Sequence, residues 1–248
     1  MHFLPQFFFL ILLGFASWLF AKNILQIRKN ILLGRAEDLS GDSPQRWKNL
    51  LLLAFGQKKM FKNMPVAVMH FVIYAGFIII NIEVLEIVLD GILGSHRLFF
   101  QFTGAFYTFL INFFEILAVG VIAVCVAFLC RRNILKLKRF VSKDLNGWPR
   151  SDANYILFAE IILMSLFLTM NASDRALQLQ GNEHYHNTGG FVFSSIIAPL
   201  FSNLSSATII IIERACWWIH IIGILDFLNY FHMLAYMRGV SDYLRIIC

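Results

Sequence analysis

The chain has 248 residues, of which 58% are hydrophobic and 15% charged, with 26 phenylalanines and a formal net charge of +6. A soluble domain of this size keeps a charged surface around one core. Here the apolar residues fall into five blocks separated by short polar loops, which points to an all-α integral membrane protein in contact with a lipid bilayer. The positive charge does not argue for nucleic acid, because the basic residues lie in loops that flank apolar segments, where they set membrane orientation.

Residues 5–21 form the first block, with no basic residue ahead of it and Lys22, Arg28 and Lys29 behind it. A cleaved signal carries its positive charge first and ends at a small-residue site, so this block is read as a retained helix with its N-terminus outside. The loop 28–64 is basic and contains WKNLLLLAFGQKKMF, in which Trp47, Leu51 and Ala54 or Phe55 recur at helical spacing beside Lys48, Lys58 and Lys59. That pattern predicts an amphipathic helix lying on anionic headgroups, with a solvated loop as the alternative.

Pro65, suited to a helix start, opens a second span that runs to residue 90 and is followed by the turn GILGSHR. A third span, 102–130, carries Asn112 and Glu115 on one face. After a second basic loop, RRNILKLKRFVSKDLNGWPR, the fourth span covers 154–170. The polar run NASDRALQLQGNEHYHNTGG is expected as a loop. FVFSSIIAPLF, too short to cross and containing Pro199, is expected to lie at the interface. The fifth span, IIIIERACWWIHIIGILDFLNYFHMLAY at 209–236, sets an ionisable pair, two tryptophans and two histidines inside an apolar run.

Loop 28–64 holds eight Lys and Arg and loop 131–150 holds seven, against one each, Arg97 and Arg175, in the intervening loops. This asymmetry predicts a five-helix transmembrane bundle with its N-terminus outside and its C-terminus cytoplasmic. Cys125, Cys130, Cys216 and Cys248 include no CxxC pair, so no iron-sulfur cluster is expected on this chain.

Titratable groups inside apolar spans are the candidate site residues, since a charge in hydrocarbon is costly. Neutral imidazole is a common axial ligand of haem iron, and a haem b between helices needs two at similar depth. His70 shares a face of the second span with Tyr74, Phe77 and Asn81, and His220 shares one of the fifth with Trp217, Ile224 and Phe227. Gly76 and Gly223, near those faces, would leave room for a flat macrocycle. The competing reading is an imidazole that bonds a neighbouring carbonyl or side chain, as polar groups in membrane bundles do.

His70 lies near the cytoplasmic end of its helix and His220 in the outer half of a helix running the other way. At about 1.5 Å per residue, two haems with separate ligand pairs fit better than one shared iron. His96, at the outer end of the second span, is level with His220, and an interfacial turn role beside Arg97 is its alternative. His232 is about 120° round the helix from His220 and cannot share its face, but it is at the depth to oppose His70 as a weak substitute ligand.

Glu83, Glu86 and Asp90 form a stripe opposite the His70 face, which suits a proton path or a quinone site. Charge pairing with Arg97 or Arg214 is the plainer reading of the same stripe. Glu213 lies two turns before His220 on its face, and Arg214 is placed to meet a haem propionate or one of the glutamates. Glu183, His184 and His186 have the residue types of a metal site but sit in an outer loop, where solvation explains them as well.

The stretches RWKNLLLLAFGQKKMFKNMP, INIEVLEIVLDGILGSHRLF, WPRSDANYILFAEIILM, LTMNASD and IIERACWWIHIIGILDFLNY resemble the N-terminal membrane part of bacterial iron-sulfur oxidoreductases of the heterodisulfide-reductase type. That part is itself similar to the five-helix cytochrome b that forms the gamma subunit of respiratory nitrate reductase. The resemblance implies a cytochrome b with one or two haems in the bacterial cytoplasmic membrane, exchanging electrons between quinone and a cytoplasmic iron-sulfur module, and not catalytically complete alone. It implies His70 and His220 as haem ligands, and His96 matches a motif histidine.

The resemblance extends over residues 1–230. Beyond Tyr230 the family pattern continues into a proline-containing turn, a Lys-His-x-His segment and a soluble domain with cysteine clusters. Here the chain reads FHMLAYMRGVSDYLRIIC, with Tyr236 and Arg238 where those histidines belong. Residues 231–248 are therefore expected to be a divergent tail, from truncation, a frame shift, or a subunit whose partner supplies the rest. The competing reading of the whole is a haem-free membrane anchor or remnant. A transporter comes third, since no internal repeat is visible.

Overall fold

A computed structural model of the protein describes residues 3–34, 41–55, 64–135 and 148–237, with the backbone alone at 53–55, 148–150 and 231–237. Helix α1 spans Phe3–Leu32, and α2 spans Ser43–Asn49 before passing into a π-helical turn, Leu50–Phe55. Then come α3 (Met64–Leu93), α4 (Leu98–Thr103) and α5 (Ala105–Leu129), the last extended by a π-helical turn at Cys130–Ile134. Helix α6 runs Trp148–Leu179, α7 is the short Ser194–Ile197 with a 3-10 turn at Ala198–Phe201, and α8 runs Ser206–Met237. There is no strand among the described residues.

Five of these helices, at Phe3–Leu32, Met64–Leu93, Ala105–Ile134, Ser151–Leu179 and Ser206–Tyr230, are long and apolar enough to cross a membrane. The exposed faces agree with that make-up. Phe7, Phe8, Phe15 and Trp18 on α1, and Phe106 and Phe109 on α5, are all more than half exposed, where lipid rather than water is the compatible solvent. The chain thus has the construction of a multi-pass membrane protein.

Contacts divide the chain into two compact parts, Met1–Gln6 with Met69–Ile224, and Phe7–Val68 with Leu225–Cys248. In the first, α5 buries Tyr107, Ile111, Phe114, Ala118, Val121 and Cys125. These recur at alternating intervals of four and three, one continuous stripe of a helix. The stripe packs on α6, which buries Leu163, Met164, Phe167 and Leu168. Two polar contacts fix the register of this antiparallel pair. Asn133 and Asn154 exchange amide hydrogen bonds at 3.1 and 3.4 Å, and Asn171 Nδ2 donates to Glu115 Oε1 at 3.3 Å.

In the second part, Phe9, Ala16 and Ala67 are buried. Asn229 Nδ2 donates to the carbonyls of Leu225 at 2.9 Å and Ala16 at 3.4 Å. The amphipathic segment predicted around Trp47 is helical over 43–55, and Lys58 and Lys59 fall outside the described residues. So do 35–40, 136–147 and the tail from Arg238, with the side chains of His232 and Tyr236.

Three expectations change. The fourth span does not end at residue 170, because α6 continues through Asn171, Ser173 and Asp174 to Leu179. Those polar side chains face inward, at 0% or 1% exposure, and Asn171 and Asp174 find partners there, so the helix continues. The third span does not run unbroken from residue 102. Gly104, at φ 54° and ψ −128°, separates α4 from α5 in a conformation that a side chain would strain.

Third, Gly76 and Gly223 do not border open slots. A Cβ on Gly76 would lie 2.7 Å from Val121 Cγ2, and one on Gly223 would lie 2.7 Å from Leu163 Cδ2. Both are points of close approach between helices, the usual use of small residues in membranes. Val121 is stiff about χ1 and cannot swing away. Gly76→Ala is therefore expected to cost about 1–3 kcal/mol, read as a lower thermal midpoint of the detergent-purified protein. Gly14→Ala, with nothing within 4 Å of the added methyl, is expected to leave the midpoint unchanged.

Candidate functional site

The turn after α3 is built by carboxylates. Asp90 Oδ1 accepts hydrogen bonds from Ser95 Oγ at 2.6 Å and from the Leu98 amide at 3.2 Å, and its Oδ2 accepts from the Arg97 amide at 2.9 Å. One turn earlier, Glu86 Oε1 accepts from the Phe99 amide at 2.8 Å. Two acidic side chains at the end of one helix thus satisfy the free N–H groups at the start of the next, where negative charge is favoured. Arg97 itself takes a left-handed backbone conformation, φ 56°, and its side chain turns inward, 6% exposed.

Once buried, a guanidinium needs acceptors for its donors. Arg97 Nε donates to Asp174 Oδ2 at 2.8 Å, and Nη2 lies 2.7 Å from the same oxygen. Nη2 also donates to Asn171 Oδ1 at 2.7 Å, and Nη1 donates to the Tyr107 hydroxyl at 3.2 Å. The guanidinium carbon sits 5.5 Å from the Phe191 ring and 6.0 Å from the Tyr107 ring. Burial alone would favour a neutral guanidine. Tyr107, Asp174, Glu86 and Glu83 together outweigh it and hold Arg97 above its ordinary pKa.

The network continues outward from these partners. Tyr107 Oη donates to Glu86 Oε2 at 2.7 Å. Asp174 Oδ1 accepts from Gln178 Nε2, 3.1 Å away, and that nitrogen is also 3.1 Å from Thr188 Oγ1. Asn171 leads to Glu115, which organises the segment after residue 190. Its Oε2 accepts from the amides of Phe193 at 2.8 Å and Ser194 at 3.2 Å, and Ser194 Oγ donates to Oε1. Asn112, one turn before Glu115, accepts from the Val192 amide at 2.8 Å and donates to the Gly190 carbonyl at 3.1 Å.

Glu83 stands apart. It is 2% exposed, and neither carboxyl oxygen has a hydrogen-bond partner. Arg97 Nη1, 4.0 Å from Oε1, is beyond hydrogen-bonding distance. The acidic stripe predicted on α3 therefore resolves into unlike members: Asp90 and Glu86 act as caps with donors, and Glu83 has none. Of the alternatives for that stripe, the company it keeps is Arg97. Arg214 instead pairs with Glu213, its neighbour on α8, and lies 5.7 Å from the Trp217 ring. Glu213 also accepts from the Tyr185 hydroxyl at 3.0 Å.

The histidines differ sharply in setting. His220 is 1% exposed, and its Nδ1 is 3.0 Å from the Leu163 carbonyl. That contact defines Nδ1 as the protonated nitrogen and leaves Nε2 with a free lone pair. His96 lies between α3 and α4, its side chain 10% exposed, with Nε2 3.6 Å from Asp174 Oδ2 and Nδ1 without a partner. Burial lowers its pKa to about 3, helped by Arg97, Arg214 and His184 and only partly opposed by Asp174. It is thus a neutral imidazole beside Asp174, not an ion-pair partner. Its ring meets Tyr185 at 4.8 Å and His184 at 5.6 Å between centroids.

His70 is exposed on α3, with its ring 4.7 Å from that of Phe128. His184 and His186 are exposed, and no group of three or more His, Cys, Asp or Glu among the described residues could hold a metal ion.

The chain is similar to FadF of Bacillus subtilis (strain 168), described as a probable iron-sulfur-binding oxidoreductase. The two are 27% identical over 225 residues, which is 90% of this chain and 29% of FadF. The present chain therefore spans less than a third of the length of that relative. No family profile matches the chain, and no solved structure matches it.

Sequence reasoning named Arg97 but not Asp174, Asn171 or Tyr107 as its partners. The signal was present: Asn171 and Asp174 are three apart, hence on one helix face, at the end of an apolar run. Removing the cation leaves those groups and Glu86 buried without it. Arg97→Met is expected to destabilise the protein by about 3–5 kcal/mol, measured by thermal or denaturant unfolding in detergent. Arg214→Met, at a side chain 42% exposed, is expected to cost less.

A pH dependence follows from His96. The unfolded chain protonates this imidazole near its ordinary value of 6.5 and the native one only near 3, so the unfolded state binds the proton first. Stability then falls as the pH drops below about 6.5, by about 1.4 kcal/mol per unit for this one group. The thermal midpoint is expected to decline between about pH 7 and pH 5, and His96→Gln to flatten that decline.

Proposed function

We propose that this chain is the membrane electron-transfer part of an oxidoreductase, passing electrons between a membrane quinone and an iron-sulfur oxidoreductase module. The module is a partner subunit or a further domain on the cytoplasmic side. The observation that carries the proposal is His220: an imidazole buried in an apolar span, its Nδ1 tied to a backbone carbonyl and its Nε2 lone pair left available. A hydrogen bond from one ring nitrogen to a carbonyl is what orients histidines that ligate a metal through the other. The similarity to FadF, described as an iron-sulfur-binding oxidoreductase, supports the redox setting. The likeness to the nitrate reductase gamma subunit belongs to the same reading.

The group that fits these donors is haem b, one or two per chain. Haem would supply a one-electron carrier between a two-electron quinone and one-electron iron-sulfur clusters. His220 and His96 have the matching chemistry, each a neutral imidazole with one nitrogen unpaired or oriented for a metal. His70, exposed beside Phe128 on α3, completes the candidate ligands, with His232 as a substitute and Arg214 as a candidate partner for a propionate. The distribution of Lys and Arg supports an orientation with the N-terminus outside, and the bacterial relative supports a bacterial cytoplasmic membrane.

A haem-free membrane anchor is the second reading. It is favoured by Val121 and Leu163, which fill the positions beside Gly76 and Gly223 where a macrocycle was expected. An absorption spectrum of the chain purified from haem-sufficient cells separates the two. A Soret band that sharpens and shifts on reduction is expected, and His220→Ala is expected to lose at least one haem equivalent. A colourless protein would overturn the haem reading, and a full haem complement in His220→Ala would remove that residue as a ligand.

A further inference from the structure

The buried carboxyls of the part comprising residues 69–224 are not alike in their supply of donors. Glu86 accepts from the Phe99 amide and the Tyr107 hydroxyl. Asp90 accepts from Ser95, Arg97 and Leu98. Glu115 accepts from Phe193, Ser194 and Asn171. Asp174 accepts from Arg97 and Gln178, and Glu213 from Arg214 and Tyr185. Glu83, 2% exposed, accepts from nothing.

The charges facing Glu83 are Arg97 on the following turn, Glu86 on its own helix and Glu115 on α5. Arg97 is already engaged with Asp174, Asn171 and Tyr107. One guanidinium therefore stands among more carboxyls than it can neutralise, and Glu83, 4.0 Å from it, is the carboxyl of this group left without a hydrogen-bond donor. An ion removed from water with neither donor nor dedicated counter-charge is the costliest arrangement a protein interior can hold, and such a group takes up a proton instead. A second open site lies at the same cluster, since His96, whose Nε2 is 3.6 Å from Asp174 Oδ2, leaves its buried Nδ1 without a partner.

We propose that Glu83 is a proton-binding site, a carboxyl held as the neutral acid in the resting protein and able to exchange its proton through the Arg97 cluster at the turn between α3 and α4. Release breaks the Glu83 O–H bond and forms one on solvent water, leaving a carboxylate whose nearest cation is Arg97. No oxidant or reductant enters the step. The site stands on its own geometry and does not require haem. Its use as a proton source or sink when a quinone is reduced or oxidised rests on the electron-transfer reading, since quinone carbonyls take up protons as they gain electrons.

Infrared difference spectroscopy of the purified full chain tests it. At neutral pH the wild type is expected to show the carbonyl stretch of a protonated carboxylic acid, shifted on H/D exchange. Glu83→Gln is expected to lose that band or a resolved component of it, and Glu183→Gln, on an exposed loop, to keep it. The amide is isosteric with the neutral acid, so Glu83→Gln is also expected to keep the wild-type thermal midpoint, whereas Asp174→Asn lowers it.

No protonated-acid band in the wild type, or a band unaltered in Glu83→Gln, would overturn the assignment. If Glu83→Gln does not accumulate, Glu83→Asp decides: the band moves if the acid is Glu83 and stays if it is elsewhere. A colourless protein that keeps the band defeats the haem reading and leaves the proton site standing.

Discussion

Burying the guanidinium of Arg97 at the end of an apolar helix sets the terms for much of the surrounding structure. Its donors require Asp174, Asn171 and Tyr107, so α6 must stay helical past the point where its sequence turns polar, and α5 must present Tyr107 at the same level. Tyr107 and Asn171 then pass the constraint to Glu86 and Glu115. Those carboxylates seat the first amides of α4 and α7. A buried ionic network of this kind is weak evidence for net stability, because desolvation offsets much of the attraction. What it contributes here is register: only one alignment of α5 and α6 brings residues 107, 171 and 174 to the turn after α3.

Two kinds of buried titratable group result, and they bear on function differently. The imidazoles of His220 and His96 are neutral donors of the type that metals and porphyrin iron accept, one oriented by a carbonyl and the other without a partner at Nδ1. The carboxyls are mostly structural acceptors, occupied by amides and hydroxyls. Glu83 has no donor, and it shares its cluster with His96 through Arg97 and Asp174. His96 and Glu83 thus meet in one buried cluster around Arg97 and Asp174.

Much of the fold was legible because hydropathy and helical periodicity are local. The spans containing His70, Glu115 and His220 could be drawn from the sequence with end errors of a few residues. Where the reading failed, the cause was a partner distant in sequence. NASD looked like a loop because Arg97 and Glu115, which make its polar groups welcome inside, lie some 56 to 77 positions away. Gly76 and Gly223 looked like space for a ligand because nothing in their own helices shows that Val121 and Leu163 lie against them. The acidic stripe was visible as a stripe, but Glu83 and Glu86, three residues apart, differ only through Tyr107 and Phe99, which reach one of them and not the other.

The sequence by itself determined that the chain is helical, that five stretches are long and apolar enough to cross a bilayer, and which polar groups would have to be buried within or beside them. Each of those properties depends on the residues of one segment and its solvent. Tertiary structure alone decided that Glu83 is left without a donor while Glu86 is not, that the acidic stripe meets Arg97, and that His220 is buried while His70 is exposed. Those outcomes depend on how helices far apart in the chain come into register, and the energy of a buried polar group is set by the single neighbour that does or does not reach it.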